Sequence, residues 1–472
     1  MNRTLRTSTI ALALAAGWAM PVHAAAAKDN AVMQQLAAMQ AQLEQLNQRV
    51  GTLEGDLAAA KARAEAAEAQ VAVAVAQAEA AKSAVAAIPA ASVTAKPATQ
   101  VSWSGAPRLT GEGGWSFKPR GRIQYDAGTV SAPAAIVDRG LGFANEARRI
   151  RLGVEGTVPG GFGYKVEADL TDGTVVLTDA VLDYRKGPIT VNLGQHNPFQ
   201  GLEELTSSND TSFIERAAFT DVFPFERNVG VSVEYAKNAL LVQAGLFTDN
   251  IQTLGDDENT SWGLDGRIVY APKLGNSQLH FGGSYHWRDL GDSITSRRYR
   301  QRPLLHTTDT RFIDTGTITG TTAETNFGLE AAIISGRFHA AAESHWMKLN
   351  RTAAADPTFF GASLEAGLFL TGDKREYRGG MFRAIKVAKP VGKGGLGAWQ
   401  VNLRYDNLDM IDAGIIGGTQ DSVQASLIWT PVDQVRFMLN YGYLKYSNAA
   451  IAAAGDRDYS VNVFGGRFQV SF

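Results

Sequence analysis

Arginine alternates with aliphatic residues in the stretch NEARRIRLGVEG, residues 145–156. Arg149 and Arg151 flank Ile150, and Leu152 follows them. Successive side chains of a β-strand point to opposite faces, so the pattern predicts one apolar face and one face of guanidinium groups. A guanidinium group stays charged and donates two parallel hydrogen bonds to an oxyanion. The arginine face therefore favours recognition of oxyanions.

The elements that would position these arginines are many short strands. From about residue 115 to 472 the hydrophobic pattern has a period of two, in segments of about ten residues with aromatic residues near their ends. Short turns, such as PGG at 159–161, alternate with long connections, such as 197–228. A soluble β-sandwich also alternates. The aromatic ends and the unequal connections favour a transmembrane β-barrel.

The parity of the pattern gives a strand count. Residues 371–397 are charged, rich in glycine and poorly alternating. If this segment is an irregular connection on the side of the short turns, about sixteen antiparallel strands remain, and single-chain barrels require an even number. The predicted fold class is therefore an all-β transmembrane barrel, of a size that encloses an aqueous channel.

The first residues predict export. Residues 1–24 contain Arg3 and Arg6, a short apolar run and small residues before a cleavage point at Ala24, as in a secretory signal peptide. Without Arg3 and Arg6, the number of Lys and Arg falls from 45 to 43 against 47 Asp and Glu, a net charge of −4. The chain is neither a strongly basic nucleic-acid binder nor, having no cysteine, a disulfide scaffold.

Residues 25–88 have a different period. Apolar or alanine residues recur every seven positions from Leu36 to Val85, and again three positions later from Met39 to Ile88. This heptad pattern predicts a periplasmic α-helical coiled coil, although an alanine-rich helix or linker is the alternative. The residues do not fix the number of chains in the coil. Prolines then predict a Pro/Ala-rich linker over 89–114.

Several motifs resemble those of the phosphate- and polyphosphate-selective porins O and P. They include RRIRLGVEG, YKVEADL, TGDKREY, GAWQVNLRYDNLD and the stretch LGQHNPFQGLEEL that opens the third loop. The resemblance covers residues 115–472. It implies a homotrimer of sixteen-stranded channels, with the third loop, 197–228, folded inward and an arginine ladder along the pore. Where that family commonly has lysine before the Pro-Phe pair, this chain has His196.

Strand parity extends the predicted site, because arginine on the lipid face would cost ~2–4 kcal/mol at the membrane midplane. The predicted anion-binding residues of the lumen are Arg120, Arg122, Arg149, Arg151, Arg216, Arg227, Arg404 and His196. The stretch SRRYRQRP predicts a second group at the outer mouth that steers anions or contacts lipopolysaccharide phosphates. Its members are Arg297, Arg298, Arg300 and Arg302. Solvation by lumen or loop water is the alternative for each arginine.

The predicted function is passive diffusion of small anions, phosphate or polyphosphate, across the bacterial outer membrane, without cofactor, metal or enzymatic activity. The carboxy-terminal strand ends at Phe472, a signal for the barrel assembly machinery in proteins of this kind. A general porin and a tether from outer membrane to cell wall are the alternatives. A catalytic or metal site of His339, Glu343 and His345 is disfavoured, because Ser344 points outward and no accompanying motif is present.

Overall fold

The computed structural model describes residues 99–472 except 224 and 256–259, together with scattered helical positions between 44 and 76. The predicted signal peptide and most of the predicted coiled coil lie outside the described residues. The chain divides into two compact units, Met1–Lys96 and Pro97–Phe472. Among the described residues, no helix has the length and apolarity needed to cross a membrane.

The second unit is a closed antiparallel β-barrel. Its sixteen strands are β1 (Ser116–Ser131), β2 (Gly142–Val158), β3 (Phe162–Asp169), β4 (Val176–Lys186), β5 (Ile189–His196), β6 (Asn228–Lys237), β7 (Leu240–Phe247), β8 (Trp262–Tyr270), β9 (Ser277–Asp289), β10 (Thr321–Ser335), β11 (Phe338–Arg351), β12 (Thr358–Phe369), β13 (Ala398–Asp412), β14 (Ile415–Val432), β15 (Val435–Ser447) and β16 (Tyr459–Ser471). Each strand pairs with the next, and β16 pairs with β1 from Asn462↔Ser131 to Ser471↔Arg122. The predicted sixteen-stranded fold is confirmed.

The side-chain pattern of the wall explains why the barrel suits a membrane. In β13, Leu403 and Tyr405 are exposed on the outer face, whereas Asn402, Arg404 and Asp406 are buried on the inner face. Exposed apolar faces of this kind are unstable in water and fit lipid. Closure also leaves no unpaired strand edge in the bilayer.

The connections differ at the two ends of the barrel. At one end, which we call the short-turn end, most connections have two or three residues, and β1 begins and β16 ends there. Residues 370–397 also lie at this end, as an irregular connection between β12 and β13 with a small hairpin, Glu376–Arg378 and Met381–Arg383. The opposite, long-loop end carries the loops 197–227 and 290–320.

A hairpin precedes the barrel within the predicted linker. Its strands, Thr99–Ser104 and Ala106–Gly111, pair with each other, and the second strand joins β1 through Leu109↔Phe117. The turn is at Gly105, whose φ of 75° lies in the left-handed region that favours glycine. Regular structure therefore begins before residue 115, because TQVSWS and APRLTG pair as antiparallel strands on the two sides of Gly105.

Two loops from the long-loop end fold into the barrel and pack against one side of it. Loop 197–227, the third loop, contains helices α1 (Leu202–Leu205) and α2 (Ala218–Val222), and loop 290–320 lies beside it. Phe219, Phe223 and Phe312 from these loops join one buried apolar cluster with lumen-facing residues such as Met347 and Leu444. We call strands β11–β16 with these loops the packed side. The apolar cluster draws no residue from β2–β9 among the described positions.

Candidate functional site

Charged side chains on β1–β4 form the opposite wall of the lumen, which we call the charged wall. Antiparallel register brings them together, because Arg122 lies opposite Arg151, and Arg151 lies opposite Asp169. The side chain of Glu167 is 1% exposed. Its carboxylate oxygens lie 3.1 Å from Arg120 Nε, 3.3 Å from Arg122 Nη2 and 3.5 Å from Arg151 Nη1. Three cations thus share one buried carboxylate.

Further ion pairs surround this group. Arg151 Nε lies 2.7 Å from Asp169 Oδ2, and Arg120 Nη1 lies 2.6 Å from Glu155 Oε2. Asp179 pairs with Lys165 Nζ at 2.9 Å and, at the end of the third loop, with Arg227 Nε at 3.6 Å. With Arg149, the group just described brings together six cationic side chains and four carboxylates of the charged wall. The cations are Arg120, Arg122, Arg149, Arg151, Lys165 and Arg227, and the carboxylates are Glu155, Glu167, Asp169 and Asp179.

Arg149 differs from its neighbours in lacking a carboxylate partner. It is buried, and its Nη1 donates to Gln124 Oε1 at 2.9 Å. Among the residues that the structure describes, no carboxylate oxygen lies within 4.0 Å of it. A buried cation without an opposite charge is unfavourable unless it is hydrogen-bonded or paired. Arg149 therefore has unused capacity for an anion.

Arg148 also points inward, which strand parity alone did not predict. Gln124 pairs with Arg149 and Tyr125 with Ala147, so a β-bulge leaves Arg148 unpaired between them. Its Nε and Nη2 bind both carboxylate oxygens of Glu215 at 2.8 and 3.2 Å. A bulge puts two successive side chains on one face. The doubled arginine in NEARRIR, which breaks the alternation, is the sequence signal for it.

A cavity of ≈ 110 Å³ lies between β2, the third loop and loop 290–320. Its ionisable lining residues are Arg148, Arg149, Arg216, Arg302, His306, Glu204, Glu215 and Asp221. Burial raises the pKa of Glu204. Burial would also raise the pKa of Glu215, but Arg148 and Arg467 hold it well below its usual range. Glu204 therefore compensates the surrounding arginines less completely than Glu215 does.

Arg216 and Arg404 lie where the third loop is held in place. Arg216 donates to the backbone oxygens of Glu203, Glu204 and Thr206 within the loop. Arg404 on β13 is 2% exposed. Its Nη2 lies 2.7 Å from Glu203 Oε1 and 2.8 Å from Glu365 Oε2, and its guanidinium group stacks over the ring of Phe213. Their positions make both arginines anchors of the loop.

His196 lies at the end of β5 and bonds to none of the charged side chains described above. Its Nδ1 is 2.9 Å from the oxygen of Gly194, and its Nε2 is 2.8 Å from Ser232 Oγ. The ring packs against Phe247 and Phe199. Both ring nitrogens thus have protein partners in this arrangement.

The four arginines predicted at the outer mouth come together in one basin. Arg297, Arg298, Arg300 and Arg302 line a cavity of ≈ 420 Å³ at the long-loop end, and Arg311 lines it as well. Arg297 pairs with Glu324 at 2.9 Å, and Arg298 pairs with Asp314. The Nε atoms of Arg297, Arg302 and Arg311 are buried without a hydrogen-bond partner. We call this cavity the arginine basin.

The structure does not bring the three residues of the disfavoured catalytic or metal site together. His345 Nε2 lies 2.8 Å from Glu343 Oε1, whereas His339 contacts Gln400. His345 Nδ1 is bound to Asn326 Oδ1 at 2.8 Å. Within the described part of the chain, no group of three histidine, cysteine or carboxylate side chains is arranged to hold a metal ion.

Three comparisons place the chain among known proteins. The family model described as phosphate-selective porin O and P matches residues 117–472. An "Uncharacterized protein" of Caulobacter vibrioides is 51% identical over 383 residues, 79% of this chain and 77% of that protein. Porin O of Pseudomonas aeruginosa is 26% identical over 337 residues, 65% of this chain and 75% of that protein.

Among solved structures, an anion-selective porin from Comamonas acidovorans is similar, with a TM-score of 0.49 and 15% identity. The match covers 76% of this chain and all of that one. Because the family model matches the barrel along its length, the chain belongs to the phosphate-selective porin O and P family and is an outer-membrane porin.

Proposed function

We propose that this porin conducts small anions, phosphate or polyphosphate, by passive diffusion along the charged wall. The observation that carries the proposal is the excess of cations there, with Arg120, Arg122 and Arg151 sharing Glu167 and with Arg149 lacking a carboxylate partner. The family description and the name of the Pseudomonas relative, Porin O, support phosphate as the anion.

The ion pairs of the charged wall explain how an anion could bind and still leave. Each arginine has several N–H donors, and one carboxylate occupies only some of them. A phosphate can therefore exchange hydration water for guanidinium donors step by step, while neighbouring carboxylates limit how tightly any one position holds it. Arg149 is the strongest single position, since a charge-assisted hydrogen bond contributes about 1.5–3 kcal/mol.

The arginine basin attracts anions before they reach the charged wall. Its five arginines raise the local anion concentration at the long-loop end, which is the extracellular end in barrels with short periplasmic turns. This effect extends over a Debye length of about 10 Å at 0.1 M salt. Phosphates of lipopolysaccharide are the alternative ligands of the basin, because they present the same chemistry.

We further propose that the protein forms a homotrimer in the outer membrane and that its N-terminal coiled coil lies in the periplasm. Phe472 presents the end of β16 to the barrel assembly machinery. Phe472 extends the closing strand pair, with mutual backbone hydrogen bonds of 3.0 Å to Gly121. A coiled coil formed by the same three chains would reinforce the barrel contacts through effective concentration.

A general porin is the second candidate, favoured by the four carboxylates that accompany the cations of the charged wall. Purified protein in planar bilayers separates the two functions. The proposal predicts a reversal potential of anion sign in a KCl gradient, and a chloride current that orthophosphate blocks. A current without anion preference and without phosphate block would support the general porin instead.

A further inference from the structure

The connection 370–397 between β12 and β13 contacts both faces of the barrel wall. Its hairpin enters the lumen, where the oxygen of Gly380 accepts a hydrogen bond from Arg267 Nη2 on β8 at 2.8 Å. In the same hairpin, the Tyr377 hydroxyl lies 2.6 Å from His280 Nδ1 on β9. Residues 386–397 follow a different course. We call them the lysine loop, because they contain three lysines.

The lysine loop lies against the outer face of the wall. Trp429 of β14 points outward, because it alternates with the buried, lumen-facing residues Ile428 and Thr430. Its indole Nε1 donates to the backbone oxygen of Leu396 at 2.8 Å. The backbone N–H of Val391 donates to the oxygen of Pro431, near the end of β14, at 2.9 Å. The loop is therefore held at the rim of the barrel, on the side that faces lipid.

An aromatic row lies beside this loop. Its members, opposite one another in the register of β13–β16, are Trp399, Trp429, Phe437 and Phe468. Neighbouring ring centroids are 5.6, 5.3 and 5.3 Å apart. Aromatic girdles mark the interfaces of an outer-membrane barrel with the lipid headgroups. Since this row lies near the short-turn ends of its strands, it puts the lysine loop at the level of the headgroups.

The charge of the loop is not compensated by the protein. Its exposed cations are Lys386, Lys389 and Lys393. Among the residues that the structure describes, no carboxylate oxygen lies within 4.0 Å of their ammonium groups. The carboxylates bonded to the loop bind its backbone instead, Asp433 Oδ1 the N–H of Val387 at 2.8 Å and Asp373 Oδ1 the N–H of Ala388 at 2.7 Å. The three ammonium groups are therefore available to an external anion.

Two apolar side chains of the loop are exposed as well. Val391 and Leu396 are 43% and 77% exposed. A backbone hydrogen bond of 3.1 Å from Gly397 to Lys389 closes the loop and keeps these side chains beside the lysines. At the boundary between headgroups and acyl chains, apolar side chains are covered by lipid while lysine ammonium groups stay at the polar level. The loop thus has the two kinds of side chain that a phospholipid surface requires.

We propose that the lysine loop binds the phosphate groups of anionic phospholipids in the periplasmic leaflet, with Val391 and Leu396 against the acyl chains. The short-turn end is the periplasmic end in barrels of this kind. Clustered basic residues next to a membrane-spanning segment attract anionic headgroups. Lysine suits this role because its ammonium group is a point charge on a flexible stem, which can follow a mobile lipid. The site lies outside the lumen and does not depend on the proposed anion conduction.

The test measures lipid binding to the full-length protein in a neutral detergent by native mass spectrometry. The probes are phosphatidylglycerol and phosphatidylcholine with the same acyl chains. The test variant combines Lys386→Gln, Lys389→Gln and Lys393→Gln. The matched control combines Lys186→Gln, Lys237→Gln and Lys273→Gln, three exposed lysines beside separate short turns at the same end. An unchanged unfolding temperature without added lipid shows that each variant has folded.

The wild type is expected to bind phosphatidylglycerol at lower concentration than phosphatidylcholine. The test variant should raise the half-saturating phosphatidylglycerol concentration about tenfold and leave phosphatidylcholine binding unchanged. The control should change either value less than twofold, and arginine at the three loop positions should preserve the preference. Equal binding of the two lipids by the wild type, or an equal loss in the control, overturns the site. Unchanged lipid binding with altered phosphate block would assign the lysines to the pore and overturn it too.

Discussion

The packed side and the charged wall belong to one barrel and follow the same alternation, yet their lumen faces differ. On the packed side, Met347 and Leu444 point inward and are fully covered by loops. On the charged wall, Arg120 and Lys165 point inward and keep about a quarter of their side-chain surface exposed. The difference shows that loops cover the apolar part of the lumen completely, whereas some side chains of the charged wall keep contact with solvent.

The two lumen faces differ because covering by a loop stabilises apolar side chains and removes hydration from charged ones. An apolar side chain facing lumen water gains about 25 cal/mol per Å² when a loop covers it. The third loop provides Phe219 and Phe223 for this purpose. A charged side chain loses hydration when it is covered, so ion pairs in contact with water suit it better. We infer that the passage follows the charged wall.

The largest expected effect comes from breaking the link between the loop and the packed side. Arg404→Ala would leave the buried carboxylates of Glu203 and Glu365 without their cation, which costs ~3–5 kcal/mol. We expect a lower unfolding temperature in detergent and a larger, noisier single-channel current from the released loop. Arg185→Ala is the control, since Arg185 is exposed. If Arg404→Ala had the same unfolding temperature and the same current noise as this control, the anchoring role would be contradicted.

Next in size is the loss of cations from the charged wall. Arg149→Ala with Arg151→Ala should leave the barrel folded while shifting the reversal potential towards zero and weakening phosphate block. Each lost charge-assisted contact corresponds to about 1.5–3 kcal/mol. The matched pair is Arg139→Ala with Arg185→Ala, two exposed arginines that make no ion pair with Glu167 or Asp169. Identical selectivity in the two double variants would refute the arginine contribution.

A smaller effect is expected from pH at the ≈ 110 Å³ cavity. Because burial raises the pKa of Glu204, falling pH neutralises this carboxyl before ordinary glutamates, and the cavity becomes more positive. Anion preference in KCl should therefore rise as pH falls from neutral towards the range where exposed carboxylates titrate. In Glu204→Gln this early rise in anion preference should be absent at every salt concentration. If the rise persists in the variant, another group causes it.

The smallest effect is expected at the arginine basin. Arg298→Ala with Arg300→Ala should lower the rate of anion entry at low salt and have little effect at 1 M salt, where the Debye length is about 3 Å. Arg298 is half exposed and paired with Asp314, and such surface pairs contribute about 0–1 kcal/mol. Conductance measured across a salt series provides the test. A loss that does not change with salt would point to a binding role instead.

The sequence predicted the barrel well, because a bilayer imposes a period of two on every strand. Residues 371–397 were correctly predicted as a connection, since they break that period. Their contacts inside the lumen were not predicted, because an irregular segment has no period from which its direction can be read. Arg148 was missed for a related reason, since a bulge changes parity at one residue.

Loop contacts also limited the prediction of the site. Parity placed Arg404 in the lumen, but its partner Glu203 lies about two hundred positions away, in the third loop. No local pattern encodes such a contact. The arginines of SRRYRQRP lie close together in sequence, and the structure brings them to one basin. Short-range clusters were therefore easier to predict than wall-to-loop pairs.

The central inference, that anions pass along the charged wall and not through the packed side, can be tested with single cysteines, because the chain has none of its own. Lys165→Cys places a thiol on the charged wall, and Leu444→Cys places one in the apolar cluster. The measurement is the change in chloride current after a negatively charged, water-soluble thiol reagent is added. We expect rapid reaction and a reduced current for Lys165→Cys and no change for Leu444→Cys. Equal rates at the two positions, or reaction at Leu444→Cys alone, would contradict the account.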